Sequence, residues 1–563
     1  MKDIIKRLKL LFDVYKIDGY IIPKNDEFFS EFANNDRLQK ITNFTGSAGY
    51  AIILRNKNYL FVDGRYTIQA NIESGKKFKI LDYVKIFNFK KISNLKIGID
   101  PSLFTSEQIK KIFPNKNFKI LQKNLIDQLI KFKTYKVNKF YSLSEKITGQ
   151  SYKNKIKNTV NYLKKNNIDN IFISAPENVA WILNIRGKDN PTSPIPNSHL
   201  IISSNRKKFI IAEKKKLKNL IRKKVIKASE VIEPSNIETL NTRLKGLSIL
   251  LDKNSCSLKY ESFFSKKFKI IKKIDPTYLL KSIKNKIEIS NMKKAHIEDG
   301  VAVTKFLYWI KNVNKKIITE LDAQNKLELF RKKNSNYLYP SFNTIAGSGK
   351  NAAIIHYRAQ KNNAKVIKSK DIFLCDSGGQ YKYGTTDVTR TICFSKQNKE
   401  IKKIFTNVLK GHIAVANTNL NKTNVGKKID INARKYLKKD GLDYSHGTGH
   451  GVGFFLNVHE GPQGISKYNS IKIKPGMILS NEPGFYKVNK FGIRIENLVY
   501  AKKKDGKFFF ENLTLVPIDN DLINFNQLSQ NEKNYLFKYH IEVFNKISPF
   551  LTKPEKKWLA DFI

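Results

Sequence analysis

The stretch DSGGQYKYGTTDVTR, residues 376–390, decides how the last half of this chain is read. It follows an apolar run, DIFLC (371–375), that reads as a buried strand, and it sets Asp376 eleven positions before Asp387. If the stretch is a β-hairpin turning near Tyr381 and Lys382, Asp376 falls opposite Asp387. Directly opposed Cβ atoms in an antiparallel pair lie about 4.5–5.5 Å apart. Two ionised carboxylates that close repel one another unless a cation lies between them. Taken alone, Asp376 beside a Gly-rich segment also has a plainer reading as a turn residue.

A second pair repeats the pattern. SNEPGFYKVNKFGIRIEN (480–497) brings Glu482 opposite Glu496 if the chain turns about Asn489. Four carboxylates on paired strands form an oxygen-rich site suited to hard or borderline divalent ions. HGTGHGVGFFLNVHEGP (446–462) offers His446, His450 and His459 as a nitrogen donor, and NAAIIHYRA (351–359) adds His356 just before the first strand. Each of these signals is weak alone; His459 beside Glu460, for instance, also reads as a satisfied loop histidine. Together they point to a two-metal site.

Outward from these motifs the chain divides by pattern into residues 1–145, 146–285 and 286–563. The first segment opens with an amphipathic helix and continues with GYIIP (19–23), GYAIILRN (49–56), NYLFVDGR (58–65) and KIGID (96–100) as short strands. The second repeats the order with KNTVNYLKKNN (157–167) as helix and NIFISA, HLIIS, FIIAE and LSILLD as strands. The shared layout predicts two related α/β domains. The third opens on a long helix with one apolar stripe, KIEISNMKKAHIEDGVAVTKFLYWIKN (286–312), then alternates helices with Gly-rich strands.

Length and composition set the bounds. At 563 residues the chain is long enough for about three domains, and 41% hydrophobic residues can fill their cores. The formal charge of +56 would ordinarily raise a polyanion as partner. Here the bases are nearly all Lys, scattered with Asn and Ile along the whole length, so compositional bias and a solvated surface account for them and no specific nucleic acid is expected. Three dispersed cysteines, Cys256, Cys375 and Cys393, form no disulfide or zinc pattern and fit a reducing compartment. No apolar run approaches the ~18 residues of a membrane span, so a cytoplasmic protein without membrane contact is expected.

The order DSGGQYKYGTTDVTRT, HGTGHGVGFFLNVHEGP, NEPGFY, GIRIEN resembles the aminopeptidase P family, Xaa-Pro aminopeptidases of the M24 metallopeptidases. FTGSAGYAIILRNKNYLFVDGRYTIQA (44–70) and ENVAWILNIRGKDNP (177–191) extend the resemblance to the long, three-domain cytosolic type. The fold implied is α/β (α+β): two creatinase-like N-terminal α/β domains followed by a C-terminal pita-bread metallopeptidase domain. The resemblance implies that Asp376, Asp387, His450, Glu482 and Glu496 bind two divalent ions, manganese first, with zinc, cobalt or iron open, and that Asp387 and Glu496 bridge them. It gives His356, His446 and His459 catalytic roles without metal ligation, with His356 and His459 also contacting substrate, and makes Glu482 the acid/base for water activated between the ions. Arg65 in VDGRY matches a substrate-contacting position. The substrates implied are peptides with proline second, and the assembly implied is a homodimer. A prolidase-like dipeptidase and a non-enzymatic pita-bread scaffold are the alternatives. Departures from the family wording fall at KFKTYK (131–136), at SGGQ (377–380) and at Tyr383, none of them a ligand position.

Overall fold

A computed structural model of the chain describes residues 2–132, 137–313 and 315–563, so most of the KFKTYK departure lies outside the described residues. The chain separates into two units, Met1–Tyr278 and Leu279–Ile563.

The first unit holds two six-stranded sheets of the same topology. In the first, Gly19–Pro23 lies at the centre. The antiparallel strands Tyr50–Leu54 and Asn58–Val62 and then the parallel Lys79–Asp82 lie on one side, with the parallel strands Ile97–Ile99 and Phe118–Ile120 on the other. The second sheet is built in the same order around Asn170–Ile173, with His199–Ser203, Lys208–Ile211 and Val231–Ile232 to one side and Ser248–Asp252 and Lys269–Lys273 to the other. The repeated layout of the sequence is thus a repeated topology. Helices cover both faces of the first sheet, and its side chains divide between two cores with period two. Tyr20, Ile22, Ala51, Ile53, Leu60 and Val62 enter one core, while Ile21, Ile52, Tyr59 and Phe61 enter the other. Central strands buried on both faces read as the continuous apolar runs seen in the sequence.

The second unit opens on the helix Lys286–Asn312, started by Asn285, whose side chain accepts from the amides of Ile287 and Glu288 while Glu288 returns the bond. Its apolar stripe, including Val303, Phe306, Leu307 and Ile310, packs against Phe373, Val388 and Ile392 of the strands that carry the first aspartate. A buried ion pair reinforces this contact. Arg331 Nε donates to Asp299 Oδ1 at 2.7 Å and its Nη2 reaches Ser377 at 3.1 Å, while Tyr381 donates to Asp299 at 2.8 Å. A larger core of Phe405, Val408, Leu409, Leu536 and Val543 joins the helices Lys399–Ala416 and Gln530–Ile547.

The strands here are short and change partners. Phe373–Ser377 and Val388–Ile392 form a three-stranded sheet with Ile345–Ser348, whereas Ile478–Asn481 and Asn497–Lys504 belong to a five-stranded sheet. The first hairpin differs from the expected register. Asp376 stands opposite Thr389, not Asp387, and the tip continues with Gln380 opposite Thr385 and Tyr381 opposite Gly384. Tyr381, buried and bonded to Asp299, is drawn into the strand, so the turn falls on Lys382–Tyr383, one position later than the sequence reading placed it. Moving the turn centre by one position changes the pairing by two. Because side chains alternate with period two, Asp376 and Asp387 remain on one face as diagonal neighbours. Between them the strands pinch: a Cβ on Gly378 would sit 2.0 Å from the Thr386 carbonyl oxygen, so only glycine fits.

Candidate metal centre

The second hairpin has the expected register. Gly484 pairs Arg494 within the strands Gly484–Lys487 and Phe491–Arg494, and Asn481 pairs Asn497 in the neighbouring sheet. Both pairings extrapolate to Glu482 opposite Glu496, and Asn489, with a φ of 60°, supplies the left-handed turn residue. At the two glutamates the ladder is interrupted. The Glu482 amide donates to Thr448 and the Glu496 amide to Thr389, each 2.8–3.1 Å away on a different strand segment. The exchange of partners carries both glutamates towards the first hairpin and towards His450, which lies in the strand Gly449–Gly451.

Ligand atoms of Asp387, His450 and Glu496 all lie within 4.8 Å of one another. His450 Nε2 stands 3.4 Å from Asp387 Oδ2 and 3.5 Å from Glu482 Oε1. Its Nδ1 bonds the Gly451 carbonyl at 2.9 Å, a contact that needs the proton on Nδ1 and turns the Nε2 lone pair to the carboxylates, as a metal-binding imidazole requires. Asp376 joins through Arg494, whose Nη2 donates to Asp376 Oδ2 at 2.5 Å, while Nη1 donates to the Tyr486 hydroxyl at 2.6 Å. Thr389 donates to Glu496 Oε2 at 2.8 Å, and Ser480 donates to Glu482 Oε1 at 3.0 Å.

Electrostatically the cluster lacks positive charge. Burial, then Asp376 and Glu482, push the Asp387 carboxyl well above the usual carboxylate range; burial, then Asp387, Glu482 and Asp376, do the same to Glu496. Arg494 opposes both shifts without cancelling them. Asp376 Oδ1 and Asp387 Oδ1 are buried without a hydrogen-bond partner. Orphaned carboxylate oxygens are costly unless a cation meets them, and an oxygen-rich set with one imidazole suits divalent ions, so the residues fit a metal centre. A second group of possible ligand atoms, Cys393, Asp519 and Asp521, already surrounds a cation: Lys311 lies 2.8 Å from Asp519 and 3.3 Å from Asp521. Burial raises the Cys393 thiol to about 12, so it stays protonated there.

The remaining expected residues divide. His459 lies against His450, ring centroids 4.4 Å apart and nearly perpendicular. His446 bonds the Gly447 carbonyl through Nδ1 at 2.7 Å and Tyr486 through Nε2 at 2.9 Å, with Nδ1 3.9 Å from Glu482. His356 is half-buried on the segment whose Ile355 carbonyl accepts from Arg494 Nη2 at 3.4 Å. Arg65 belongs to the first unit, where it pairs with Asp63 at 2.8 Å and lies over the Tyr66 ring. The sequence reading passed over Arg494, Thr389, Ser480 and Tyr486. For Arg494 a signal existed: it is the one base in FGIRIEN, two residues before Glu496 and therefore on the same strand face.

Against known proteins, residues 290–503 match the model of metallopeptidase family M24 and 507–561 that of its C-terminal region. Residues 4–129 and 133–288 each match a creatinase/prolidase N-terminal domain. The probable Xaa-Pro aminopeptidase P of Laccaria bicolor is 35% identical over 97% of this chain and 90% of that protein. The chain belongs to the aminopeptidase P family. Xaa-Pro aminopeptidase 1 of Dictyostelium discoideum is also 35% identical, over 99% of this chain and 96% of its own length. The solved X-prolyl aminopeptidase of Caenorhabditis elegans, described as a cytosolic enzyme with a di-nuclear active site, superposes with a TM-score of 0.91 at 28% identity, covering 100% of this chain and 98% of that one. The aminopeptidase P assignment carries the fold with it, two creatinase-type α/β domains ahead of a pita-bread metallopeptidase domain. Prolidase from Pyrococcus furiosus covers only 63% of the chain, with a TM-score of 0.51.

Proposed function

We propose that this chain is a metalloaminopeptidase that hydrolyses the bond between an N-terminal residue and a following proline. It would use two divalent ions held by Asp376, Asp387, His450, Glu482 and Glu496. The observation that carries the reading is the buried carboxylate cluster, in which Asp376 and Asp387 each keep an oxygen without a partner while burial and mutual repulsion disfavour ionisation of Asp387 and Glu496. Bound ions supply Lewis-acid polarisation of a carbonyl and lower the pKa of water towards about 7.

The protein's own groups do the rest. Glu482 is the most accessible carboxylate of the four, 17% exposed against 5% for Asp387, which suits it to take a proton from the attacking water and return it to the proline nitrogen. Ser480 donates to its Oε1, and the His450 Nε2 lone pair faces the same oxygen from 3.5 Å. His459 or His356 would donate to the developing oxyanion, help worth about 3–4 kcal/mol. The scissile nitrogen of an Xaa-Pro bond is tertiary and offers no N–H, so selection must rest on ring shape.

The division into 1–145, 146–285 and 286–563 is supported by the spans of the family models. A cytoplasmic setting is supported by the description of the worm relative as cytosolic; no helix among the described residues is long and apolar enough to cross a membrane. Manganese as the metal, a homodimeric assembly and a substrate role for Arg65 rest on the family resemblance.

Purified protein supplied with Mn(II) should release the first residue from Xaa-Pro-Yaa peptides faster than it cleaves Xaa-Pro dipeptides, with two ions bound per chain. Preference for the dipeptides would make it a prolidase. Failure on both, together with nucleic-acid binding at physiological salt, would end the enzyme reading.

A further inference from the structure

Glu320 lies 130 positions before His450 in sequence, at the first position of the helix Glu320–Lys332, and is fully buried. Its carboxylate accepts from four groups on one segment. The Ser348 amide and the Asn351 side chain reach Oε1 at 2.7 and 3.1 Å; Asn351, the Tyr357 hydroxyl and the Lys365 amide reach Oε2 at 2.9, 2.8 and 3.0 Å. The Glu320 amide in turn donates to the Lys365 carbonyl at 2.9 Å. One carboxylate thus ties residue 348 to residue 365 and grips the segment again at Asn351 and Tyr357, on either side of His356. The far side of the segment rests on the metal-site hairpin. A Cβ on Gly492 would sit 1.9 Å from the Ala352 carbonyl oxygen, and Ile355 accepts from the Arg494 nitrogen that also holds Asp376.

We infer that Glu320 is the positioning residue for His356: by gathering both ends of the 348–365 segment it sets the height of the histidine over the carboxylate cluster. The inference rests on the aminopeptidase reading and on a catalytic role for His356, and it adds how that role is built. The chemistry of the donors makes a carboxylate necessary. In Glu320→Gln the new –NH2 must face either the Ser348 or the Lys365 backbone N–H, and neither can reverse to accept. A displacement of about 1 Å at a catalytic group can cost on the order of 100-fold in rate.

The test is a double-mutant cycle on the metal-loaded enzyme. E320Q should lower kcat about 10- to 100-fold, keep two ions per chain, and accelerate hydrogen exchange at the Ser348 and Lys365 amides about tenfold or more. In the H356A background E320Q should add less than about twofold, because a group that acts through His356 has nothing left to position. Y357F, which removes one donor and leaves the rest of the ring, should show the same pattern in smaller measure should E320Q fold poorly. The inference is overturned by a cost of E320Q that persists in full in the H356A background, by wild-type kcat in E320Q, by loss of ions from E320Q, or by wild-type kcat in H356A. A wild-type protein inactive on every Xaa-Pro peptide would instead overturn the functional reading itself, a result visible before any variant is made.

Discussion

The two sheets of the first unit and the strands of the second use the same apolar material to different ends. Gly19–Pro23 and Asn170–Ile173 each sit in six-stranded ladders and are buried along their whole length. In the second unit the ladders break at three of the four acids: Asp387 falls just outside Val388–Ile392, and Glu482 and Glu496 lie in the gap between two pairings of common register, while Asp376 stays paired with Ile345 and Thr389. A continuous ladder satisfies its own backbone and leaves nothing for a ligand. An interrupted one sends amides such as those of Glu482 and Glu496 to other strands and gathers carboxylates from several segments at one point. Unbroken pairing thus marks the sheets of the first unit, and a separation of most of the site's acids into breaks of the pairing marks the second.

That separation can be broken most forcefully at the site. His450→Ala removes the imidazole whose Nε2 faces Asp387 and Glu482, and it should lose bound metal and activity together. The fall should exceed the 10²–10³-fold, roughly, that loss of an oxyanion donor costs. His356→Ala should keep both ions and fall only within that range. Metal analysis beside kcat for the two variants decides the matter, and a His450→Ala protein that still holds two ions would remove it from the ligand set. The converse substitution lies in the other unit. Phe172 is fully buried against Tyr260 and Phe264 at centroid distances of 4.9 and 5.0 Å. Phe172→Ala should cost about 3–5 kcal/mol in urea denaturation while metal stoichiometry stays at two. Loss of ions from this variant would mean that the sheets of the first unit also hold the site together.

How legible each part was in the sequence follows the same line. The four inner strands of each first-unit sheet could be read from apolar runs, because burial on two faces leaves an unmistakable pattern; the outer strands Lys79–Asp82, Phe118–Ile120, Val231–Ile232 and Lys269–Lys273, only partly buried, could not. The Glu482–Glu496 register was legible because Asn489 marks its turn. The Asp376–Asp387 register was misread by two, since nothing within the hairpin announces that Tyr381 is held by Asp299, 82 residues away. The residues that orient the carboxylates were hidden for a similar reason. Thr389 and Ser480 are ordinary strand residues by sequence, and their function appears only when Glu496 and Glu482 stand beside them. Glu320 reads locally as an acid in the first turn of a helix, a favourable place for any carboxylate; its contacts with Ser348 and Lys365 are long-range and leave no local pattern.

The smallest expected effect tests whether the first unit carries any titratable element of its own. His199 is buried, stacked on Phe28 at 5.0 Å, with Nδ1 2.8 Å from the Ser174 carbonyl. Burial, reinforced by the charge of Lys259 and only partly opposed by the Ser174 contact, lowers its pKa from 6.5 to about 4. The fold therefore favours the neutral ring. Its contribution to stability is complete above pH 6.5 and is lost as the pH falls from there towards 4, because the unfolded chain takes up the proton first. Between pH 8 and pH 6 the loss should be about 0.8 kcal/mol, the difference in protonation free energy of groups with pKa 6.5 and about 4. In His199→Gln the pH dependence of urea stability should shrink by that amount between the same two pH values, whatever the state of the metal centre. An unchanged dependence would mean that the folded ring takes up a proton as readily as the unfolded one, and that the stacked pocket around His199 admits charge.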